Sequence, residues 1–208
     1  KAKATKGEGV RILTQTVTSP TLKAQIDEFL AAYPNAKWHQ FEPLARDNAY
    51  EAAMASFGQP VNTVYDFSKA KVVVSLDADF LNDLRAGVRY SRDFANARSL
   101  NGGKKTMNRL YCFESTVTIT GAFADHRWPT KPSELSAIGS AILSGLTGGT
   151  AISTKFGKEI AAIVKDLKAN RGECLVIAGD HQSAAVHSIV HQINQALGSV
   201  GTTVRYTA

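Results

Sequence analysis

The sequence predicts an α/β fold with a doubly wound, mostly parallel sheet and helices on both faces. Two apolar runs, Val72-Val73-Val74 and Leu175-Val176-Ile177, are typical of strands buried on both sides of a parallel sheet. Segments with helical spacing alternate with such runs along the chain. The 208 residues are 44% hydrophobic and 20% charged, which is ordinary for a folded domain. Without an evident linker, we expect one Rossmann-like domain over residues 1–208, with five or six strands.

The first half of the chain alternates predicted strands and helices. The β-branched run at 10–16 predicts a strand, and Ser19-Pro20 supplies an N-cap and a first-turn proline for the next helix. Apolar residues recur at helical spacing from Leu22 to Leu30 in that helix. The other elements predicted here are a strand over 37–41, a helix over 48–57 ended by Gly58, a strand over 71–76 and a helix over 88–97.

The second half continues the alternation after a loop at Asn101-Gly102-Gly103. A Gly/Thr-rich turn over 145–150 separates two predicted helices, and Gly198 ends the last one. The elements predicted in this half are strands over 109–114, 174–178 and 203–206, and helices over 132–143, 155–170 and 183–197.

The net charge of +6 is concentrated in one basic stretch between Arg85 and Arg109. The stretch contains Arg85, Arg89, Arg92, Arg98, Lys104, Lys105 and Arg109, with Asp93 as the one acidic residue. A solvated helix face and a surface for an anionic partner both explain such a stretch. Nucleic acid is not expected as a partner, because no recognised binding motif or interleaved aromatic residues accompany the charges.

Composition and motifs exclude several classes of protein. No apolar run approaches the roughly 20 residues that cross a bilayer, so we expect no transmembrane segment. The two cysteines form no Cys-x-x-Cys motif, and both Cys112 and Cys174 fall in predicted buried strands, so neither is expected to be catalytic. The chain begins at Lys1 without a signal peptide, so we expect a segment excised from a longer subunit.

Ligands of a doubly wound sheet bind beyond the carboxyl ends of its strands, where the strand order reverses. The first such turn, Thr16-Val17-Thr18-Ser19, lacks glycine, and no Gly-x-Gly-x-x-Gly or Walker motif occurs, which disfavours ordinary NAD, FAD or nucleoside-triphosphate chemistry. One hypothesis places a small-ligand site at these ends. Its candidate residues are Thr16, Ser19, Asp77, Asp79, Glu114 and Asp180.

Three further groups contain residue types that catalyse reactions or bind metals. His187 and His191, four residues apart on a helix, could share a zinc ion, but no third ligand accompanies them, and two polar helix positions explain them better. Asp180, His181 and Ser183 lack a nucleophile elbow, and Asp180 is expected to cap the following helix. Asp125-His126-Arg127 fits a loop ion pair as well as an acid–base site. The residues alone therefore predict no catalytic residue and no metal site.

Four segments, in order and spanning nearly the whole chain, resemble the molybdopterin-oxidoreductase-like subunits, and most of all the B subunits of alternative complex III. They are VRILTQTVTSPTLKAQIDEFL at 10–30, YDFSKAKVVVSLDADFL at 65–81, NRLYCFESTVTITGAFADHR at 108–127 and RGECLVIAGDHQSAAVHSIVHQINQALGSVGTTVRY at 171–206. The resemblance implies an α/β domain from a longer, multidomain iron–sulfur subunit family.

Catalytic relatives in the wider superfamily bind a molybdopterin guanine dinucleotide at three turns. The corresponding turns here read Asp77-Ala78-Asp79-Phe80, Glu114-Ser115-Thr116 and Pro132-Ser133-Glu134, without the expected glycines and arginine. Carboxylates facing a pyrophosphate would repel it unless a cation intervened. The resemblance therefore implies cofactor-binding positions at Asp77, Asp79, Glu114, Ser133 and Glu134 that have lost their cofactor.

The resemblance implies a cofactor-less structural domain of a respiratory quinol:electron acceptor oxidoreductase. Its expected partners are multiheme cytochrome and quinol-binding membrane subunits at the periplasmic face of the bacterial cytoplasmic membrane, with iron–sulfur clusters elsewhere in the parent. An alternative stays open: the chain could be the nucleotide-binding part of an active molybdopterin guanine dinucleotide-dependent oxidoreductase.

Overall fold

A computed structural model describes residues 3–83, 86–103 and 105–207. Short 3₁₀ turns lie at Phe67–Lys69, Phe80–Asn82, Asn101–Gly103 and Pro132–Glu134. The strands and α-helices are, in chain order, β1 (Arg11–Thr14), α1 (Pro20–Ala32), β2 (Lys37–Gln40), α2 (Asp47–Phe57), β3 (Asn62–Tyr65), β4 (Val72–Leu76), α3 (Gly87–Arg98), β5 (Arg109–Glu114), α4 (Ile119–Ala122), β6 (His126–Pro129), α5 (Leu135–Thr147), α6 (Gly157–Ala169), β7 (Cys174–Ala178), α7 (Ala184–Ala196) and β8 (Val204–Thr207).

Contacts within the chain form two compact units, one ending at Ala45 and one beginning at Arg46. In the first unit, β1 and β2 pair in parallel, with Arg11 opposite Lys37, and α1 connects them. The predicted helix start is confirmed, because the Ser19 side chain accepts a hydrogen bond from the Leu22 amide and Pro20 is the first helical residue. The organisation of residues 1–208 as a single domain stays a prediction.

The second unit contains a four-stranded parallel sheet in the order β6-β5-β4-β7. Leu76 is opposite Phe113 on one neighbouring strand and opposite Ala178 on the other. The chain adds β5 and β6 on one side of β4 and then returns to add β7 on the other side. The strand order therefore reverses between β4 and β7, where a doubly wound fold opens its ligand crevice.

Apolar residues from both faces of this sheet form the core. One face, including Val74 and Val176, packs against α5, α6 and α7. The other face, including Val73 and Leu175, packs against Phe67, Phe80 and α3. Helices on both faces confirm the predicted fold class. No helix among residues 3–83, 86–103 and 105–207 is long and apolar enough to cross a membrane.

Several element predictions are wrong in detail. The expected sheet of five or six strands is divided, because β1 and β2 pair with each other and β3 and β8 form an antiparallel ribbon. Residues 126–127, expected in a loop, belong to β6, whose register is set by backbone pairing with β5 rather than by an apolar run. The helix predicted over 132–143 begins as a 3₁₀ turn and continues as α5 to Thr147.

Polar side chains bond to the backbone along the outer edge of β7. The fully buried amide of Asn194 bonds to both polar groups of Val176, accepting from its N–H at 2.9 Å and donating to its carbonyl at 2.8 Å. The hydroxyls of Ser199 and Thr203 donate to the Cys174 carbonyl at 2.6 and 2.7 Å. These contacts supply the hydrogen bonds that a fifth strand would otherwise make, since buried backbone groups require partners.

Replacing Asn194 by Ala should destabilise the fold by about 3 kcal/mol, because the Val176 N–H and carbonyl would both stay buried without partners. The free energy of unfolding from urea titration measures the effect. Gln192→Ala, an exposed site on the same helix, is the control and should change stability by less than about 0.5 kcal/mol. Equal effects of the two substitutions would contradict this role of Asn194.

Candidate functional site

Asp77 immediately follows the central strand β4 and lies at the reversal point of the sheet. Its backbone has a φ of 56°, a left-handed conformation that is uncommon for residues other than glycine. Its carboxylate, 3% exposed, accepts hydrogen bonds from the Ser115 amide at 2.8 Å, the Ser115 hydroxyl at 3.0 Å and the Gln182 amide at 3.0 Å. His181 Nε2 lies 2.9 Å from the same carboxylate. One buried carboxylate thus joins the ends of β4, β5 and β7.

The turn after β7 lies directly against the backbone of Asp77. The Gly179 amide donates to the Leu76 carbonyl at 3.0 Å. A Cβ built on Gly179 would overlap the carbonyl oxygen of Asp77. Glycine is therefore required here by close backbone approach, and the side chains of His181 and Gln182 are brought onto Asp77 as a result.

Asp79 and Glu114 hold the segment between β5 and β6 in place. Asp79 Oδ1 accepts from the Thr120 amide at 3.0 Å and from its hydroxyl at 2.8 Å. Glu114, 1% exposed, accepts from the Thr118 hydroxyl at 2.6 Å and forms an ion pair with Arg127. Both acids therefore serve as acceptors for groups of the protein itself.

Close packing around Glu114 also depends on a glycine. Thr118 caps α4 by accepting from the Gly121 amide at 3.0 Å. A Cβ on Gly121 would overlap the Glu114 carboxylate. The Glu114 side of the ion pair is correspondingly enclosed, and Arg127 is directed to Glu114.

Ser133 and Glu134, the remaining predicted cofactor positions, lie in the 3₁₀ turn before α5. Ser133 is exposed. Glu134 accepts from the Lys131 amide at 3.0 Å and from Lys155 Nζ at 2.8 Å. The hydrogen bond from Lys155 lowers the pKa of Glu134. These residues thus stabilise the start of α5, and Glu134 bonds to lysines of its own neighbourhood.

The other candidate groups are separated by the fold. Asp180 forms an ion pair with Arg46 at 3.2 Å, and Ser183 occupies the N-cap position of α7, so the expected cap by Asp180 is wrong. Asp125 pairs with Arg98 at 2.6 Å, while Arg127 pairs with Glu114. Among the residues that the structure describes, no group of three or more His, Cys, Asp or Glu side chains could hold a metal ion.

The two strand-end residues of the first unit are also engaged locally. The Thr16 hydroxyl bonds to Glu42 at 3.1 Å, and Ser19 caps α1.

Both cysteines are buried as predicted, and burial raises the pKa of Cys112 to about 12 and that of Cys174 to about 11. These thiols are therefore protonated and unreactive near neutral pH.

All four described arginines in the basic stretch face carboxylates. Arg98 pairs with Asp125, and Arg109 with Asp166 at 3.0 Å. Arg89 and Arg92 share Asp93, at 3.5 and 3.2 Å, and their side chains are 50% and 68% exposed. Arg85 and Lys104 lie outside the described residues. The excess positive charge on α3 is thus centred on Arg89 and Arg92.

No family model and no curated protein matches the chain. Solved structures do share its fold, among them two at low sequence identity. The formyltransferase/hydrolase complex (FhcABCD) from Methylorubrum extorquens, solved with methylofuran, contains a chain that is similar at 12% identity and a TM-score of 0.61 over 95% of this chain. Acetylene hydratase from Pelobacter acetylenicus is similar at 14% identity and a TM-score of 0.56 over 97% of this chain. This chain spans 52% and 31% of their respective lengths.

Replacing Gly179 by Ala should destabilise the second unit by about 3 kcal/mol or more, because the new methyl group would meet the Asp77 carbonyl. Thermal and urea unfolding measure the loss. Gly157→Ala is the matched control: it lies at the start of α6 with nothing within 4 Å of a built Cβ, and should be neutral or stabilising by up to about 1 kcal/mol. A tolerated Gly179→Ala would show that the turn does not need this close approach.

Proposed function

We propose that the chain is a cofactor-free, molybdopterin-oxidoreductase-like domain and a structural part of a respiratory quinol:electron acceptor oxidoreductase. The observation that carries this proposal is the internal use of Asp77, Asp79 and Glu114 as hydrogen-bond acceptors. These acids occupy the positions that the sequence resemblance aligns with cofactor-binding turns. Their satisfied carboxylates favour a structural over a catalytic role for this end of the sheet.

The residues at these positions do not fit a guanine dinucleotide. The Asp77 carboxylate is buried at the crevice, so a pyrophosphate placed there would experience strong repulsion in a poorly solvated setting. The Gly179 backbone lies against Asp77. Arg127, the first arginine after the second turn in sequence, is paired with Glu114. In our proposal, this domain therefore takes no part in chemistry at a molybdopterin group.

The fold likenesses support the proposal at a coarser level. Similarity to acetylene hydratase is consistent with the molybdopterin-enzyme-like fold that the sequence resemblance implies. The similar chain from Methylorubrum extorquens belongs to a multi-subunit complex, which supports a role within an assembly. In our proposal, iron–sulfur clusters lie elsewhere in the parent, and multiheme and quinol-binding subunits are its neighbours at the periplasmic face of the membrane.

Analysis of the intact parent complex for molybdenum, tungsten and acid-released guanine nucleotide tests the loss of the cofactor. We expect neither metal nor nucleotide at stoichiometric levels, because the carboxylates leave no favourable phosphate site. Iron measured in the same preparation is the control for retention of metal centres. Stoichiometric molybdenum or tungsten with guanine nucleotide, bound through this domain in a density map, would instead establish the active-enzyme alternative.

A charge reversal on α3 tests a docking role for the basic stretch. Arg89→Glu/Arg92→Glu should weaken assembly of the parent complex several-fold at low salt and less at high salt, because the exposed charges attract an acidic neighbouring subunit through solvent. Co-purification and mass photometry measure assembly. Lys158→Glu/Lys165→Glu gives the same charge change on exposed positions of α6 and should leave assembly intact. Equal effects of the two double variants would show that the basic stretch is not a docking surface.

A further inference from the structure

We propose that His187 and His191 form an acid-sensitive switch that holds α2 and the β3–β8 ribbon against α7 at neutral pH and releases them on acidification. The two histidines are four residues apart on α7 and therefore lie on one helix face. Helix α2 packs along α7, and β8 contributes Tyr206 to the same contact.

His191 is at the centre of a cluster of three rings that joins separate elements. Its Nδ1 lies 3.1 Å from the Tyr206 hydroxyl on β8. Its ring centroid is 5.1 Å from that of Phe57, the last residue of α2, and the Phe57 and Tyr206 centroids are 4.5 Å apart. This contact excludes water from one side of the imidazole, and a proton on the ring would have to be accommodated between two aromatic side chains.

His187 lies one turn earlier and is more deeply enclosed. It is 8% exposed, and its Nε2 has no hydrogen-bond partner among the residues that the structure describes. A buried nitrogen without a hydrogen-bond partner is tolerated more readily as a neutral acceptor than as a charged donor. Burying an unpaired charge costs several times more free energy than burying an unpaired neutral polar group. The packed arrangement therefore requires the neutral imidazole.

The charged and titratable groups around the pair do not remove this requirement. Asp180 and a hydrogen bond to its backbone favour a charge on His187, whereas Arg46 and His181 oppose it, and burial lowers its pKa overall. Burial and the neighbouring His187 lower the pKa of His191 to about 4.

The elements packed against α7 differ in the charged and titratable groups that they carry. From β8, Arg205 is directed to Asp66 at 3.8 Å, and burial raises the pKa of Tyr206 to about 12. From β3, burial raises the pKa of Tyr65. On α2, Asp47 and Glu51 are exposed, as is Tyr50, whose hydroxyl bonds to Asn62. Helix α5, which also packs on α7, contains no titratable side chain.

Acid should release this edge without dissolving the core cluster between the sheet and α5, α6 and α7, whereas Val204 of β8 is buried in the cluster on the other face of the sheet. Val190 and Ile193, on another face of α7, are buried in the cluster formed with the sheet and α5. Both histidines have lower pKa values in the closed form than the ordinary 6.5 that they regain in solvent, so protons bind preferentially to the open form. In the closed form, α2 and the β3–β8 ribbon are packed against α7. The free energy that favours this form is at its full value above about pH 6.5 and decreases as pH falls towards 4. Protonation of His191 alone should raise the population of the open form at pH 5 about 30-fold over its population at pH 8.

Hydrogen exchange measured by mass spectrometry on the intact chain, corrected for intrinsic rates, tests the switch between about pH 8 and pH 5. We expect peptides covering α2 and β8 to lose at least about ten times more protection than peptides covering α5. In His187→Asn/His191→Asn this difference should disappear. His39→Asn, at an exposed position of the first unit, is the control and should respond as the parent sequence does.

Two results would overturn the proposal: an unchanged acid response in the double variant, or simultaneous loss of protection in α2 and α5. If the double variant does not fold, imidazole ¹⁵N titration of the unsubstituted chain decides instead. The proposal requires both imidazoles to titrate below 6.5 together with broadening of α2 amide signals. Titration of either imidazole above that value, or sharp α2 signals throughout, would reject it.

Discussion

The buried carboxylate of Asp77 is the constraint on which the carboxyl end of the sheet depends. A carboxylate at this depth must be surrounded by donors, and those donors come from the segments after β5 and β7. Its left-handed backbone and the close approach of Gly179 follow from the same arrangement. The crevice that a doubly wound sheet usually opens at its reversal point is thereby occupied by the protein's own polar groups.

The same principle extends along the rim to the edge of the sheet. Glu114 accepts a hydrogen bond from Thr118 and forms an ion pair with Arg127, and it so connects β5 to α4 and to the edge strand β6. Asp79 connects the turn after β4 to Thr120. These acidic residues stabilise the loops that would contact a phosphate in a cofactor-binding relative. The same negative charges would repel that phosphate, so they explain both the loop structure and the proposed loss of the cofactor.

Sequence patterns predicted the parts of the fold that depend on local signals. The buried runs at β4 and β7 and the Ser19-Pro20 start of α1 are of this kind. Strands β3 and β6 were missed because they are short, partly exposed and defined by their partners. The sequence also placed Asp77, Glu114 and Ser115 at strand ends, but it did not identify which groups donate to the carboxylates. Ser115 and Gln182 are 67 residues apart and converge only through the β5-β4-β7 strand order; Gln182 carries no motif that could have identified it.

The side-chain hydrogen bonds along β7 have a consequence for how this sheet can associate. Asn194, Ser199 and Thr203 already occupy backbone positions at which an added strand would bind. β-Augmentation by a peptide, or continuation of the sheet into a neighbouring molecule, is therefore blocked on that flank. The opposite margin of the four-stranded sheet is formed by the short strand β6.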